Sequence, residues 1–251
     1  MIVRHSEDVA VATLPNIEMK GKLLTDVEDG MGFSAYQVVA EEGETLKLRS
    51  SDSGDLDHIY YCISGTGDVK ASNGCHYKLK PDCVVAFSSS VSAELIVETR
   101  IRLYVLYCDD INPSSERSVV KSLDEIVGTE RDVDFKRGHS RRFLLKVDGF
   151  AITITSTAVM FTGDDPTKLE YRNHAESAYY ISGKVSYSWN EGANKIEARI
   201  TPDDGTVYNM NAHDKHMVSV HEDCIALCVF YPALRGNENH TYDGGYSSYD
   251  A

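Results

Sequence analysis

An internal repeat constrains the fold of this chain more than any other feature of its sequence. Three landmarks occur twice, in the same order and at a nearly constant offset of 118 to 123 residues. The landmarks are residues 23–30 with 144–149, residues 63–65 (Ile-Ser-Gly) with 181–183, and residues 104–110 with 227–233. Such a repeat indicates a duplicated domain. Residues 112–115, Asn-Pro-Ser-Ser, have the composition of a linker, so we expect one domain at 1–115 and a second at 116–251.

Each half has the residue pattern of β-structure. Residues 99–107 and 151–161 are rich in Ile, Val, Thr and aromatic residues with a period of two. Clusters of Gly, Asp and Asn interrupt such runs roughly every eight to twelve residues. Helix-like sequence is limited to short segments. One of them begins at Ser122, a candidate helix cap that has Glu125 three residues later. The pattern predicts an all-β chain of two tandem jelly-roll β-barrels of the cupin type.

The charge balance limits the partners of the chain. It has 39 acidic and 25 basic residues, whereas nucleic acids and anionic membranes are bound by clustered Lys and Arg. The amino-terminal residues contain no long apolar region, and no run approaches the roughly 20 apolar residues of a membrane span. The six cysteines form no Cys-x-x-Cys pair and are expected to be reduced thiols. We therefore expect a cytoplasmic protein that binds neither nucleic acid nor membrane.

The second half carries part of a cupin metal pattern. Cupins commonly use two His separated by one residue and a Glu on one strand, with a further His on a second strand. Glu176 and His216 stand at the last two of these places, but Glu170 and Arg172 occupy the places of the paired His. A three-His site is therefore excluded, whereas an oxygen-rich site stays open. On the residues alone, Glu176 can equally form a strand-end salt bridge and His216 can be a surface His.

The first half departs further from this pattern. His58 stands at the place of the Glu, Ala93 at the place of the second-strand His, and Val85 or Phe87 at the place of an aromatic residue between them. One His is not enough to bind a metal, because a site needs several converging donors. We expect the first half to be metal-free and structural.

Five motifs in the second half are specific in order and spacing. They are residues 119–134 (VVKSLDEIVGTERDVD), 140–150 (SRRFLLKVDGF), 171–183 (YRNHAESAYYISG), 208–216 (YNMNAHDKH) and 228–246 (CVFYPALRGNENHTYDGGY). Together they resemble the L-ectoine synthase family, whose members have the cupin fold. The first half, which keeps EDGMGFS at residues 28–34, resembles a degenerate copy.

The resemblance implies a hydro-lyase that closes N-γ-acetyl-L-2,4-diaminobutyrate into ectoine, a compatible solute (osmolyte), and releases water. It implies Fe2+ as the cofactor, with other divalent metals open, held by Glu176, Tyr208 and His216. The family's spacing of eight residues between the Tyr and the His is kept. The missing pair of His is then expected, because the family does not use it.

The resemblance also implies a substrate-binding set, in which Tyr171, Glu238 and His240 are the candidate catalytic residues. The full set is Arg142, Thr155, Thr157, Tyr171, Cys228, Phe230, Glu238 and His240. From the residues alone, each of these can instead belong to the core, the surface or a loop. One departure concerns the substrate: Gly138 replaces a family Trp that precedes residues 140–142, and the single Trp of the chain is Trp189.

Two other functions stay open on the sequence. One is another iron-dependent cupin enzyme acting on a related small amino-acid derivative, and the other is a non-catalytic bicupin that binds a small molecule. In all three cases the partner is a small molecule. If the first half lies where a second subunit would pack, the chain is either a monomer with pseudo-twofold symmetry or a homodimer.

Overall fold

The computed structural model of the protein describes residues 1–14, 19–49, 54–163, 165–240 and 245–249. Part of the last sequence motif, residues 241–244, therefore lies outside the described residues. The elements of the first half are the strands β1 Ile2–His5, β2 Val11–Thr13, β3 Lys20–Thr25, β4 Phe33–Ala40, β5 Thr45–Arg49, β6 Leu56–Ala71, β7 His76–Leu79, β8 Cys83–Phe87 and β9 Ala93–Asp109.

The second half repeats this series of strands and has one short α-helix, α1, directly after its first strand. Its elements are β10 Ser118–Ser122, α1 Leu123–Ile126, β11 Asp132–Asp134, β12 Gly138–Arg142, β13 Thr153–Val159, β14 Thr167–Leu169, β15 Ala175–Trp189, β16 Asn194–Glu197, β17 Thr206–Met210 and β18 His216–Tyr231. The predicted capping residues are confirmed, since the Glu125 carboxylate accepts hydrogen bonds from the amide and hydroxyl of Ser122, both at 2.8 Å. Among the described residues, no helix combines the length and apolar character that crossing a bilayer requires.

The strands form two antiparallel sheets with equivalent strand orders. One sheet runs β10-β8-β6-β9-β4-β3-β2, with β5 on β9 and β7 on β6. The other runs β1-β17-β15-β18-β13-β12-β11, with β14 on β18 and β16 on β15. The predicted all-β architecture of two tandem barrels is confirmed.

The two halves exchange their first strands. β1 begins the first half but pairs with β17 of the second sheet, where Val3 lies opposite Tyr208. Reciprocally, β10 begins the second half but pairs with β8 of the first sheet, where Val120 lies opposite Val85. The division at residues 115 and 116 stays a prediction, and each sheet crosses it by one strand.

The repeated Ile-Ser-Gly motif has the same structural role in both halves. Gly65 and Gly183 both have a φ of +84°, and both lie where the register of a long strand shifts by a β-bulge. A Cβ atom at either glycine would lie 2.2 Å from a backbone carbonyl oxygen, of Arg100 or of Asp223 respectively. Only glycine fits both the left-handed backbone and the close approach of the partner strand. The motif therefore recurs because the fold requires it.

Three core clusters explain why the central strands are apolar on both faces. One cluster fills the first barrel and one lies within the second, and the third is shared by the two sheets. Along β6, Tyr60 faces the first barrel and Tyr61 faces the shared layer. The Tyr61 ring meets Phe143 of the other half edge to face, with ring centroids 5.4 Å apart. Neither half can bury this outer face without the other.

One buried cation joins the two halves through polar contacts. Arg102 on β9 is 2% exposed, and its guanidinium donates hydrogen bonds to the Pro202 carbonyl oxygen at 2.9 Å and to Oη of Tyr179 at 2.6 Å. It also donates to Oε1 of Gln37 at 3.3 Å. Both Pro202 and Tyr179 belong to the second half, so the Arg102 side chain crosses the layer between the sheets.

Replacing Arg102 tests this junction. Arg102→Leu removes the three hydrogen bonds that the buried guanidinium makes to Pro202, Tyr179 and Gln37, so we expect the free energy of unfolding to fall by about 2–4 kcal/mol. Urea denaturation measures it. Arg100→Leu is the matched control, because Arg100 lies two residues earlier on β9 but is half exposed in its ion pairs with Glu41 and Asp203. An equal loss of stability in both variants would contradict the assignment of Arg102 as the junction.

Candidate metal and substrate site

The second barrel contains a cavity of about 60 Å³ among its core residues. Its walls come from β13, β15 and β18, together with the segment that follows β18. Six residues of the predicted site line it: Thr157, Tyr171, Glu176, Cys228, Phe230 and His240. These side chains come together because alternate residues of the antiparallel strands point into the barrel.

Glu176 is the acidic residue of this cavity. Its side chain is buried, with the residue 5% exposed, and within the described chain its Oε2 atom has no hydrogen-bond partner. Burial raises the pKa of Glu176 to about 8, which the neighbouring Cys228 thiol partly offsets by a hydrogen bond. A buried carboxyl with an unused oxygen is costly unless it is protonated or binds a cation.

His216 offers a second unused donor. It lies at the start of β18 and is 1% exposed. Its Nδ1 atom is 2.8 Å from the Asp214 carbonyl oxygen, so Nδ1 carries the proton and the lone pair lies on Nε2. Nε2 has no hydrogen-bond partner among the residues that the structure describes. Burial lowers the pKa of His216 to about 4, which keeps the ring neutral, and a backbone bond on the other nitrogen is typical of metal-ligating His.

Tyr208 is also buried, but its hydroxyl has another partner. It donates a hydrogen bond to the Ile196 carbonyl oxygen at 3.1 Å. Neither Tyr208 nor His216 is a lining residue of the cavity. The structure thus brings Tyr208 next to the site without directing its hydroxyl at Glu176.

Tyr187 occupies the space between the cavity and these two rings. Its ring stacks on Tyr208 with centroids 4.0 Å apart and on His216 with centroids 5.4 Å apart, while Tyr187 itself lines the cavity. The sequence reasoning missed this residue. A strict period of two would place Tyr187 on the opposite face from Glu176, but the bulge at Gly183 shifts the register of β15 and turns Tyr187 inward.

An aromatic wall closes the other side of the cavity. Tyr171 contacts Phe230 edge to face at 5.5 Å between ring centroids, and it contacts Tyr249 at 5.0 Å. Tyr249 was not predicted. It lies just after the last motif, and an isolated β-bridge brings it beside His240, with ring centroids 4.6 Å apart. Only the folding of the carboxy-terminal segment over the barrel could have revealed it.

His240 combines a polar contact with this wall. Its Nδ1 lies 3.0 Å from Oγ of Ser247. Loss of hydration lowers the pKa of His240 to about 3, and the Arg142 charge lowers it further. The imidazole is therefore neutral at physiological pH and is a weak base, suited to hydrogen bonding rather than to holding a proton.

Two predicted substrate contacts have structural partners instead. The fully buried Arg142 donates to the carbonyl oxygens of Gly236 at 3.0 Å and Glu238 at 2.6 Å. The Glu238 carboxylate accepts from the amides of Arg235 at 2.7 Å and Gly236 at 2.8 Å. Burial opposes ionisation of Glu238, but these amide bonds outweigh it and lower its pKa. Neither residue lines the cavity; Arg142, at the end of β12, binds the turn at residues 235–238, and Glu238 belongs to that turn.

The two threonines of the predicted set lie together on β13. Oγ1 of Thr155 is 2.8 Å from Oγ1 of Thr157, and Thr155 also donates a long hydrogen bond to the Cys228 carbonyl at 3.5 Å. Thr157 lines the cavity, whereas the fully buried Thr155 lies outside the lining. Thr155 is therefore positioned to orient the Thr157 hydroxyl.

In the first barrel, the positions that correspond to the proposed metal ligands are buried in the core. His58 is buried, with Nδ1 2.9 Å from Oη of Tyr60 and Nε2 3.1 Å from the Val91 carbonyl oxygen. Val85 and Ala93 belong to the apolar core of this barrel. His58 thus has hydrogen-bonding partners for both ring nitrogens.

Solved structures resemble the whole chain. The YlbA protein of E. coli aligns with a TM-score of 0.66 over 91% of this chain and 89% of its own, at 15% identity. Bacillus subtilis oxalate decarboxylase aligns with a TM-score of 0.66 over 93% of this chain and 77% of its own, at 10% identity. At such identities the likeness concerns the fold alone, and it agrees with a bicupin architecture.

Sequence relatives match the second half closely. The family described as ectoine synthase matches residues 118–250. The L-ectoine synthase of Desulfatibacillum aliphaticivorans is 37% identical over 134 residues, which are 53% of this chain and 98% of that protein. That of Thermobifida fusca is 37% identical over 128 residues, 51% of this chain and 91% of that protein. Because the match covers more than half of the chain and nearly the full length of these relatives, the chain belongs to the ectoine synthase family.

Proposed function

We propose that the chain is an L-ectoine synthase whose active site lies in the second barrel. The reaction is the closure of N-γ-acetyl-L-2,4-diaminobutyrate into ectoine with release of water, a hydro-lyase activity. The observation that carries the proposal is the buried cavity with the unpaired Glu176 oxygen, inside the region that the family match covers. The lining combines aromatic and aliphatic side chains with a few polar groups, as is usual for small-molecule sites.

Two buried side chains, Glu176 at the cavity and His216 outside its lining, have the chemistry of divalent-metal ligands. Oε2 of Glu176 and Nε2 of His216 are buried polar atoms without partners in the described residues, as expected of ligands whose cation supplies the missing contact. Carboxylate and neutral imidazole donors suit Fe2+ among other divalent ions. We propose Fe2+ held by Glu176 and His216. Tyr208, which the family implies as the third ligand, would first have to leave its hydrogen bond to Ile196 and its stacked position on Tyr187. When bound, the metal supplies a Lewis acid that stabilises negative charge on the amide oxygen.

The residues of the chain supply orientation and exclusion of water. We propose that the neutral His240 ring accepts a hydrogen bond from the attacking α-amine and so orients it, while the protons that the amine loses leave with the amide oxygen as water. Tyr171 and Phe230 form an apolar wall that keeps bulk water from a reaction that itself releases water. Thr157 and Cys228 offer polar groups on the opposite wall. Because the closure is intramolecular, holding the substrate folded supplies much of the rate.

Arg142 and Glu238 have a modified role in this proposal. Their bonds to the turn at residues 235–238 hold the segment that leads to His240. We therefore propose that they position His240, and that substrate contact by either one requires this turn to open.

The first half is proposed to be a metal-free scaffold. It holds the strand that carries Tyr208 from both sides, through β1 and through hydrogen bonds to Asn209, whose amide donates to the Leu24 carbonyl at 3.1 Å and accepts from Thr25 at 2.9 Å. In a single-barrel relative a second subunit would fill this place. We propose a cytoplasmic enzyme, either a monomer with pseudo-twofold symmetry or a dimer of such units.

The activity is testable with the purified protein. We expect ectoine to form when the protein, loaded anaerobically with ferrous iron, receives the acetylated diaminobutyrate, because the site then has its metal. Chromatography of the product measures the reaction. Oxygen consumption without ectoine would indicate a different iron cupin enzyme, and substrate that binds without turnover would indicate a binding protein.

The metal assignment has its own test. Glu176→Ala removes the carboxylate ligand, so we expect the affinity for ferrous iron to fall by more than about 100-fold, beyond the effect of losing an outer-shell partner. Titration of the metal-free protein with ferrous iron measures the affinity. Glu222→Ala, at an exposed position on β18, is the control and should bind iron as the unchanged protein does. Iron binding that survives in Glu176→Ala would refute the assignment.

A further inference from the structure

Three rings in the second barrel form a continuous stack. Tyr187 lies at its centre, nearly parallel to Tyr208 (14° between ring planes) and to His216 (13°). The Tyr187 hydroxyl is 3.1 Å from that of Tyr180, which anchors the far end of the ring. Since all three rings are almost fully buried, the stack is fixed by packing rather than by solvent-exposed contacts.

The duplicated half shows that these three positions changed as a set. The strand registers place Val69 at the position of Tyr187, because Val69 pairs with Leu95 on β9 as Tyr187 pairs with Val218 on β18. The same registers match Val85 with Tyr208 and Ala93 with His216, as the sequence repeat had indicated. The barrel without the proposed ligands therefore also lacks the ring between them.

His216 is held at two points in this arrangement. The Asp214 carbonyl fixes Nδ1, and the face of Tyr187 fixes the plane of the imidazole. One hydrogen bond alone would leave the ring free to rotate about that contact. The stacked face removes this freedom and so determines the direction in which the Nε2 lone pair points.

We propose that Tyr187 is a positioning residue that orients His216 for metal binding by stacking on the face of its imidazole. The inference deepens the proposed function, because it rests on the metal site described there. It assigns the effect to the aromatic ring and not to the hydroxyl, and it treats Tyr187 as a neighbour of the ligands rather than as a ligand.

Two substitutions separate the ring from the hydroxyl. Tyr187→Val introduces the residue of the first barrel and removes the stack, so we expect ferrous-iron affinity to fall by about 10–100-fold, as for other outer-shell partners. Tyr187→Phe keeps the ring and should bind iron within about twofold of the unchanged protein. Anaerobic titration of the metal-free proteins with ferrous iron gives both affinities, and thermal unfolding establishes that each variant is folded.

A metal-free measurement makes the test independent of the proposed cofactor. A ring stacked on His216 shifts the NMR signals of the imidazole protons upfield. We expect this shift in the unchanged protein and in Tyr187→Phe, and its loss in Tyr187→Val. If the unchanged protein binds no iron, the metal site of the proposed function fails, while these shifts still decide whether Tyr187 orients His216.

Specific outcomes would overturn the inference. If Tyr187→Val folds and binds iron as tightly as the unchanged protein does, the stack does not orient His216. Tyr187→Phe that loses as much affinity as Tyr187→Val would show that the hydroxyl matters, as for a ligand. If Tyr187→Val does not fold, absence of the upfield shift in the unchanged protein or in Tyr187→Phe would equally refute the stacking.

Discussion

Burial of both faces of the long central strands is the constraint on which this molecule depends. Side chains on β6 and β15 alternate between the interior of their own barrel and a layer shared with the other sheet. A sheet whose two faces are both apolar must be covered twice. Each half therefore covers the outer face of the other, and the exchange of β1 and β10 adds backbone hydrogen bonds to this apolar contact.

This arrangement allows one barrel to specialise. The first barrel is filled with apolar side chains, and its one buried His has partners for both nitrogens. The second barrel keeps an unpaired carboxyl oxygen and an unpaired imidazole nitrogen near its cavity, a combination that costs stability in an apolar interior. Packing against the first barrel adds buried apolar surface, which offsets this cost.

Buried charge explains why Arg142 and Glu238 bind backbone groups of the protein. A buried guanidinium and a buried carboxylate each need several partners, and the nearest are backbone groups of the turn at residues 235–238. Satisfying these groups fixes the turn and, through it, the approach to His240. A residue that is implied to touch substrate can thus serve the site by holding its backbone.

The sequence by itself determined the duplication, the all-β class, the family of the second half and six of the cavity-lining residues, because these depend on local pattern and on motif order. It indicated the glycines of the repeated motif without their role, which is to allow a bulge. Only the tertiary structure decided the strand exchange, the inward position of Tyr187 and the place of Tyr249. These depend on register shifts and long-range pairing, and a one-residue shift reverses the face to which every later side chain points.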